Sequence, residues 1–182
     1  MCPVVGARTK PNYSIAMDEP VIRKEEGFTV AGLGTTFISI LSPDANNLDR
    51  IPLLWDQFIT RIRELSNRAD DISWGICLPL AAEERSHDEE LKYIAGAAVT
   101  SADDLPEGME AVTIPTATYA IFTHKGRVSD LAKTYGSIYS TWLPSSGYRE
   151  TSGIELERYD ARFTNADDSE MEIWLPVEKA TA

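Results

Sequence analysis

The stretch Asp49-Arg50-Ile51-Pro52-Leu53-Leu54-Trp55-Asp56-Gln57-Phe58-Ile59-Thr60-Arg61-Ile62-Arg63-Glu64-Leu65 decides the fold. Ile51, Leu54, Trp55, Phe58, Ile62 and Leu65 recur at three- and four-residue spacing, which lays one apolar stripe along a helix. Asp49 suits an N-cap, and Pro52 is expected in the first turn, where a missing N–H costs nothing. Upstream, Phe28 to Ile38 is rich in β-branched and aromatic residues and reads as a strand, broken by Ser42-Pro43-Asp44-Ala45-Asn46-Asn47. Downstream of Asp70-Asp71 come two more strands, Ser73 to Leu78 and Lys92 to Val99. The charged run Glu83 to Glu90 between them reads as a solvated hairpin connection.

The order then recurs. Met109 to Ile114 and Thr118 to His124 read as strands, and Val128, Leu131, Tyr135, Ile138 and Trp142 form a second apolar stripe. Gly126 or Ser129 can cap that helix, which must stop near Pro144, and Ser145-Ser146-Gly147 is the exit turn. Ile154 to Tyr159 and Met171 to Val177 close the chain as strands. Strand, helix, strand, strand thus appears twice, with a period of roughly 90 residues. One half alone would leave a single helix on a short sheet, so the halves must share a core. The expected class is α+β: duplicated β-α-β-β repeats, about 19–101 and 109–178, forming one largely antiparallel sheet with two helices on one face.

The chain has 182 residues, enough for one medium domain, and 43% of them are hydrophobic. Its 17 basic and 29 acidic residues leave a net charge of -12, a surface that repels phosphate backbones and argues against direct nucleic-acid binding. Residues 1–18 read as a loosely ordered extension that lacks the apolar core of a secretory signal. No run approaches the roughly 20 apolar residues of a membrane span. Cys2 and Cys77 are too far apart in kind and position to make a disulfide framework, so a reducing, cytoplasmic setting is the expectation.

Strand alternation suggests where a pocket would lie. Ile173, Leu175 and Val177 are the apolar parity of the last strand and belong beneath the helices, which sends Glu172 and Trp174 to the opposite face. The same reading of the preceding strand puts Ile154 and Leu156 under the helices and Glu155, Glu157 and Tyr159 outward. Carboxylates beside large rings on a helix-free face would suit a flat, lipophilic cation. Trp74, Tyr93 and Phe37 are candidate further walls. The plain alternative is that these glutamates are only solvated.

At these residues the chain resembles a known family. Gly27-Phe28-Thr29-Val30-Ala31-Gly32-Leu33, Ile51-Pro52-Leu53-Leu54-Trp55, Tyr93-Ile94-Ala95-Gly96, Pro106-Glu107-Gly108-Met109, Ile114 to Gly126, Trp142-Leu143-Pro144, Glu157-Arg158-Tyr159-Asp160 and Glu172 to Val177 are, in order, similar to GyrI-like small-molecule-binding proteins. The same fold forms the effector-binding domain of many AraC- and MerR-type bacterial regulators. The resemblance implies the duplicated fold, a central cavity between the halves, and a buried acidic anchor in the final-strand motif, where Glu172 stands. No helix-turn-helix module fits before residue 19, so the likeness is to the free-standing members, which bind drugs, sequester toxins or modulate a partner protein. Some members are similar to hydrolases that open cyclopropane-containing toxins. There Glu172 or Glu157 would polarise water and Tyr159 would donate a proton. A gyrase-inhibitor-like protein partner and a homodimer also stay open.

Other constellations fall away. His87 lies in the charged loop, and His124 precedes a turn and reads as structural or solvated. Two histidines make no His-rich metal site, and no cofactor motif is present: Gly32-Leu33-Gly34-Thr35-Thr36 lacks the Gly-Lys-Ser/Thr of a phosphate loop and reads as glycine kinks in a strand. There is no Gly-x-Ser-x-Gly elbow, and Asp167-Asp168-Ser169-Glu170 lacks a full calcium-loop pattern. The reading is a non-catalytic binder of amphipathic, cationic small molecules, without metal or cofactor.

Overall fold

A computed structural model describes residues 17–39, 41–79, 90–151 and 154–180. Cys2, His87 and the Glu83 to Glu89 run lie outside them. The elements, in order, are β1 (Val21–Glu25), β2 (Phe28–Ile38), α1 (Asn47–Arg61), β3 (Arg68–Pro79), β4 (Glu90–Val99), β5 (Glu110–Ile114), β6 (Ala117–Lys125), α2 (Leu131–Ser137), α3 (Leu143–Ser145), β7 (Tyr148–Glu150), β8 (Glu155–Tyr159) and β9 (Glu170–Lys179). The sheet runs β1-β6-β9-β8-β3-β4-β2-β5, every pairing is antiparallel, and β7 adds to β9.

The duplication is visible in that order. The first half contributes β3-β4-β2 and the second β8-β9-β6, and the halves meet where β3 pairs with β8. The strand preceding each half crosses to the other, β1 to β6 and β5 to β2. Both crossings pass one point, where the Gly27 N–H donates to Thr116 Oγ1 at 3.0 Å. The sheet therefore curls into a half-barrel. Gly32 and Gly96 face each other across β2 and β4, where a Cβ on either would meet the neighbouring strand's backbone within 2.6 Å, so the glycine reading of that segment matches the geometry.

Both helical segments lie on one face. Leu54 and Phe58 of α1 pack on Ala31, Tyr93, Ala95 and Ala97, while Leu131, Tyr135 and Ile138 pack on Phe122, Ile173 and Leu175. Burying an apolar side chain of this size contributes about 1.5–3 kcal/mol. The helix-free face is also a core: the curl of the sheet buries Val30, Trp74, Ile76, Ile94, Tyr119, Leu156 and Trp174 against one another.

The start of the first helix differs from the sequence reading. Helix α1 begins at Asn47, ahead of the expected Asp49 cap, because Asn46 Oδ1 accepts the Ile38 N–H at 2.7 Å and ties the helix start to the end of β2. Asp49 then lies in the first turn, where its charge favours the helix dipole, and Pro52 lies inside the helix. The second segment stops near Pro144, as expected, with its last helical residue at Ser145. It runs from a 3-10 turn at Val128–Asp130 through α2, a π-helical turn at Ile138–Trp142 and α3. Such π turns are rare and concentrate at functional sites.

Candidate functional site

Between the two helical segments lies a cavity of about 720 Å³, floored by β3, β4 and β8. The floor is chemically unusual. Glu155 and Glu157 alternate on β8 with Leu156, and both carboxylates point to the helix side, 5% and 7% exposed. Register fixes this: Glu157 lies opposite Gly75 and Glu155 opposite Cys77, while Leu156 joins Trp74 and Trp174 on the other face.

Tyrosines hold the carboxylates. Tyr93 donates to Glu157 Oε2 at 2.6 Å and Tyr159 to the same oxygen at 2.8 Å. The Tyr135 hydroxyl is 2.9 Å from Glu157 Oε1 and 2.8 Å from Glu155 Oε1, and Tyr139 donates to Glu155 Oε2 at 2.9 Å. Leu131, Tyr135 and Tyr139 come from successive fours along the second helical segment, which brings all three to the cavity. Trp55 of α1 donates its indole N–H to the Tyr93 hydroxyl at 3.2 Å and packs edge-on against Tyr159 at 5.0 Å.

Burial raises the Glu157 carboxyl above the ordinary carboxylate value, opposed by the Tyr93, Tyr159 and Tyr135 hydrogen bonds and reinforced by the Glu155 charge. Burial, then the adjacent carboxylate charges, hold the Tyr93, Tyr135 and Tyr159 hydroxyls well above the usual phenol range, so they remain donors. Asp56, Asp71 and Asp160 add three further carboxylates to the lining, and no Lys or Arg is among the described lining residues. Asp160 is neutralised by Arg158 and Arg162. Among the described residues no group of three or more His, Cys, Asp or Glu could hold a metal.

The sequence-selected residues divide. Phe37, Tyr93, Glu157 and Tyr159 line the cavity. Glu172, Trp174 and Trp74 do not. They lie on the helix-free face, where Trp174 packs on Trp74 at 5.2 Å and on Tyr119 at 5.6 Å. Glu172 accepts from the Trp174 indole at 2.9 Å and from Arg162 at 2.7 Å, with Arg158 at 3.5 Å. The placement of the pocket on that face is thus corrected, for two reasons. The curled sheet fills it with aromatic rings, and β8 has the opposite parity to the one assumed, so Ile154 and Leu156 lie away from the helices. Glu155, Tyr135, Tyr139, Trp55 and Gly75 were missed as site residues. Gly75 is required here: a Cβ on it would stand 2.0 Å from the Tyr93 hydroxyl and 2.8 Å from Glu157 Oε2. The available signal was Glu155-x-Glu157-x-Tyr159 beside two tyrosines four residues apart on a helix.

Residues 18–178 match the GyrI-like small molecule binding domain. The chain belongs to that family. It is 34% identical over 132 residues to the transcriptional regulator BrlR of Pseudomonas aeruginosa, covering 71% of this chain and 47% of that protein. It is 35% identical over 78 residues to a DNA gyrase inhibitor of Yersinia enterocolitica, covering 42% of this chain and 48% of that one. The chain thus spans about half the length of the curated relatives it matches. The fold is shared with SAV2435 in its tetraphenylphosphonium-bound structure, with a TM-score of 0.68 at 17% identity, covering 88% of this chain and 94% of that one. It is shared also with the EcmrR C-terminal domain, with a TM-score of 0.62 at 16% identity, covering 89% and 98%. No helix among the described residues is long and apolar enough to cross a membrane.

Proposed function

We propose that this GyrI-like chain is a non-catalytic receptor for amphipathic cations, with Glu157 as the acidic anchor. One observation carries the reading: a buried carboxylate, held by three tyrosine hydroxyls, in a large cavity whose described lining has acidic and aromatic side chains and no basic one. Ring faces attract cations, and a desolvated carboxylate supplies the counter-charge that water no longer screens. Phe37, Trp55, Tyr93 and Tyr159 supply the apolar walls. Leu48 and Ile59 of α1, both more than half exposed, give the site lipophilic rim residues. The tetraphenylphosphonium held by SAV2435 is a ligand of this chemical class.

The test is calorimetric titration with tetraphenylphosphonium, followed in parallel by tryptophan fluorescence, since Trp55 lies in the cavity wall. Saturable binding with quenching is expected, and the neutral triphenylphosphine oxide should bind more weakly. Failure of tetraphenylphosphonium and other lipophilic cations to bind would overturn the reading, as would equal affinity for the neutral compound.

A further inference from the structure

Glu157 presents a charge to the cavity without presenting a free hydrogen-bond acceptor. Its Oε2 accepts from Tyr93 at 2.6 Å and from Tyr159 at 2.8 Å, and its Oε1 faces the Tyr135 hydroxyl at 2.9 Å. An ionised carboxylate accepts in about four directions, so phenols take three of them. The fourth belongs to a buried side chain packed on β3, where a Cβ on Gly75 would stand 2.8 Å from Oε2. The three hydroxyls titrate well above the usual phenol range and remain donors.

The other acceptors of the cavity do not replace it. Glu155 is also buried, with the Tyr135 hydroxyl 2.8 Å from Oε1 and Tyr139 donating to Oε2 at 2.9 Å. Asp160 is held by Arg158 and Arg162. Asp56 and Asp71 line the cavity but are exposed, so water competes with them for any donor. The phenol oxygens are neutral and therefore weaker acceptors, and that of Tyr93 already takes the Trp55 indole N–H at 3.2 Å.

Resting on the receptor reading above, we propose that the site selects onium cations, whose charged centre carries no hydrogen, over protonated amines of the same shape. Tyr93, Tyr135 and Tyr159 set this preference by saturating Glu157. An ammonium N–H that enters the cavity gives up its hydrogen bond to water and finds no free ionised acceptor in exchange. A quaternary ammonium or phosphonium centre has no such bond to lose. It needs only nearby negative charge and ring faces, and the cavity supplies both. Phenols that donate to a carboxylate are polarised by it, which strengthens the pull of their rings on a cation.

Two probes of one shape make the test. One is the quaternary 1,1-dimethyl-4,4-diphenylpiperidinium; the other is 1-methyl-4,4-diphenylpiperidine, which is protonated near neutral pH and carries a single N–H. Calorimetry should find the quaternary ion bound roughly thirtyfold more tightly, of which burial of its extra methyl accounts for about fourfold. Tyr159→Phe keeps the ring and frees one direction on Glu157 Oε2 for the ammonium N–H. The ratio should then fall to about fourfold, through tighter binding of the amine. Tyr135→Phe, which frees a direction on Oε1, should move the ratio the same way and serves if the first variant does not fold. Tetraphenylphosphonium, with no N–H, should stay within about threefold of its parent affinity in both variants. Equal affinity for the two probes in the parent, or a ratio that neither variant changes, overturns the inference and leaves the receptor reading standing. A ratio that falls through loss of the onium, without a gain by the amine, overturns it as well. If neither probe nor tetraphenylphosphonium binds the parent, the receptor reading falls and the inference falls with it.

Discussion

Replacing Glu157 by Gln keeps the shape of the side chain and removes its charge, in a place where the consequence can be computed. The carboxylate is 7% exposed and takes hydroxyls at 2.6, 2.8 and 2.9 Å. A ligand cation about 5 Å away, in an effective dielectric of about 20, interacts with it by about 3 kcal/mol. Loss of a charge-assisted contact costs about 1.5–3 kcal/mol by comparison with mutational series, so the affinity for tetraphenylphosphonium should fall roughly 10- to 150-fold. Calorimetry reads this directly, with triphenylphosphine oxide run alongside. The neutral compound should lose little, since it never used the charge. Stability should move the other way. Folding raises the Glu157 carboxyl above its ordinary value, so its contribution to stability is full below the unfolded carboxylate range and is lost as pH rises through the folded value. Removing the ionisable group should therefore leave the melting temperature at neutral pH unchanged or higher. Unchanged cation affinity would refute Glu157 as the anchor. Equal loss for both compounds, with a lower melting temperature, would show that the residue holds the fold together instead.

Glu172→Gln should leave tetraphenylphosphonium affinity within about twofold and cost at most about 1 kcal/mol in denaturant unfolding, because Glu172 serves half-buried ion pairs with Arg158 and Arg162 on the opposite face. Gly75→Ala places a methyl where the Tyr93 hydroxyl lies, so it should displace that ring, weaken cation binding and cost about 1–3 kcal/mol of stability. His124 is buried, bonded through Nδ1 to Thr134 Oγ1 at 2.7 Å and through Nε2 to the Arg127 carbonyl at 3.1 Å, and desolvation lowers its pKa. Its contribution is thus full above about pH 6.5 and lost as pH falls through the lower folded value. Differential scanning calorimetry should show that decline, flattened in His124→Gln. Duplex DNA should give no gel shift near physiological salt, as the net charge of -12 requires, and a salt-sensitive shift would refute that reading.

The division between what the chain discloses and what it hides follows from one physical fact, that both faces of this sheet are buried. Period alone revealed the helices, because Ile51 to Leu65 and Val128 to Trp142 each bury one stripe against a sheet and leave the rest wet. Repetition of that period then disclosed the two halves. β1 escaped because Val21 to Glu25 is a short, largely exposed strand with no clean alternation, held by its crossing to β6 and not by its own composition. The site was legible as residue types and illegible as a side. Alternation says which residues share a face, and Glu155, Glu157 and Tyr159 do share one, as do Glu172 and Trp174. Choosing the face needed the rule that apolar residues go beneath helices, and that rule holds only when the other face is wet. In β9 both parities are buried and the rule happened to choose correctly. In β8 it chose wrongly, because the half-barrel interior claims Leu156 while tyrosines from four separate segments make burial of the two glutamates possible. Those tyrosines lie as far as 64 positions from the carboxylate they satisfy. A buried carboxylate is written in a sequence as an ordinary charge, and only the donors gathered around it by the fold distinguish it from a solvated one.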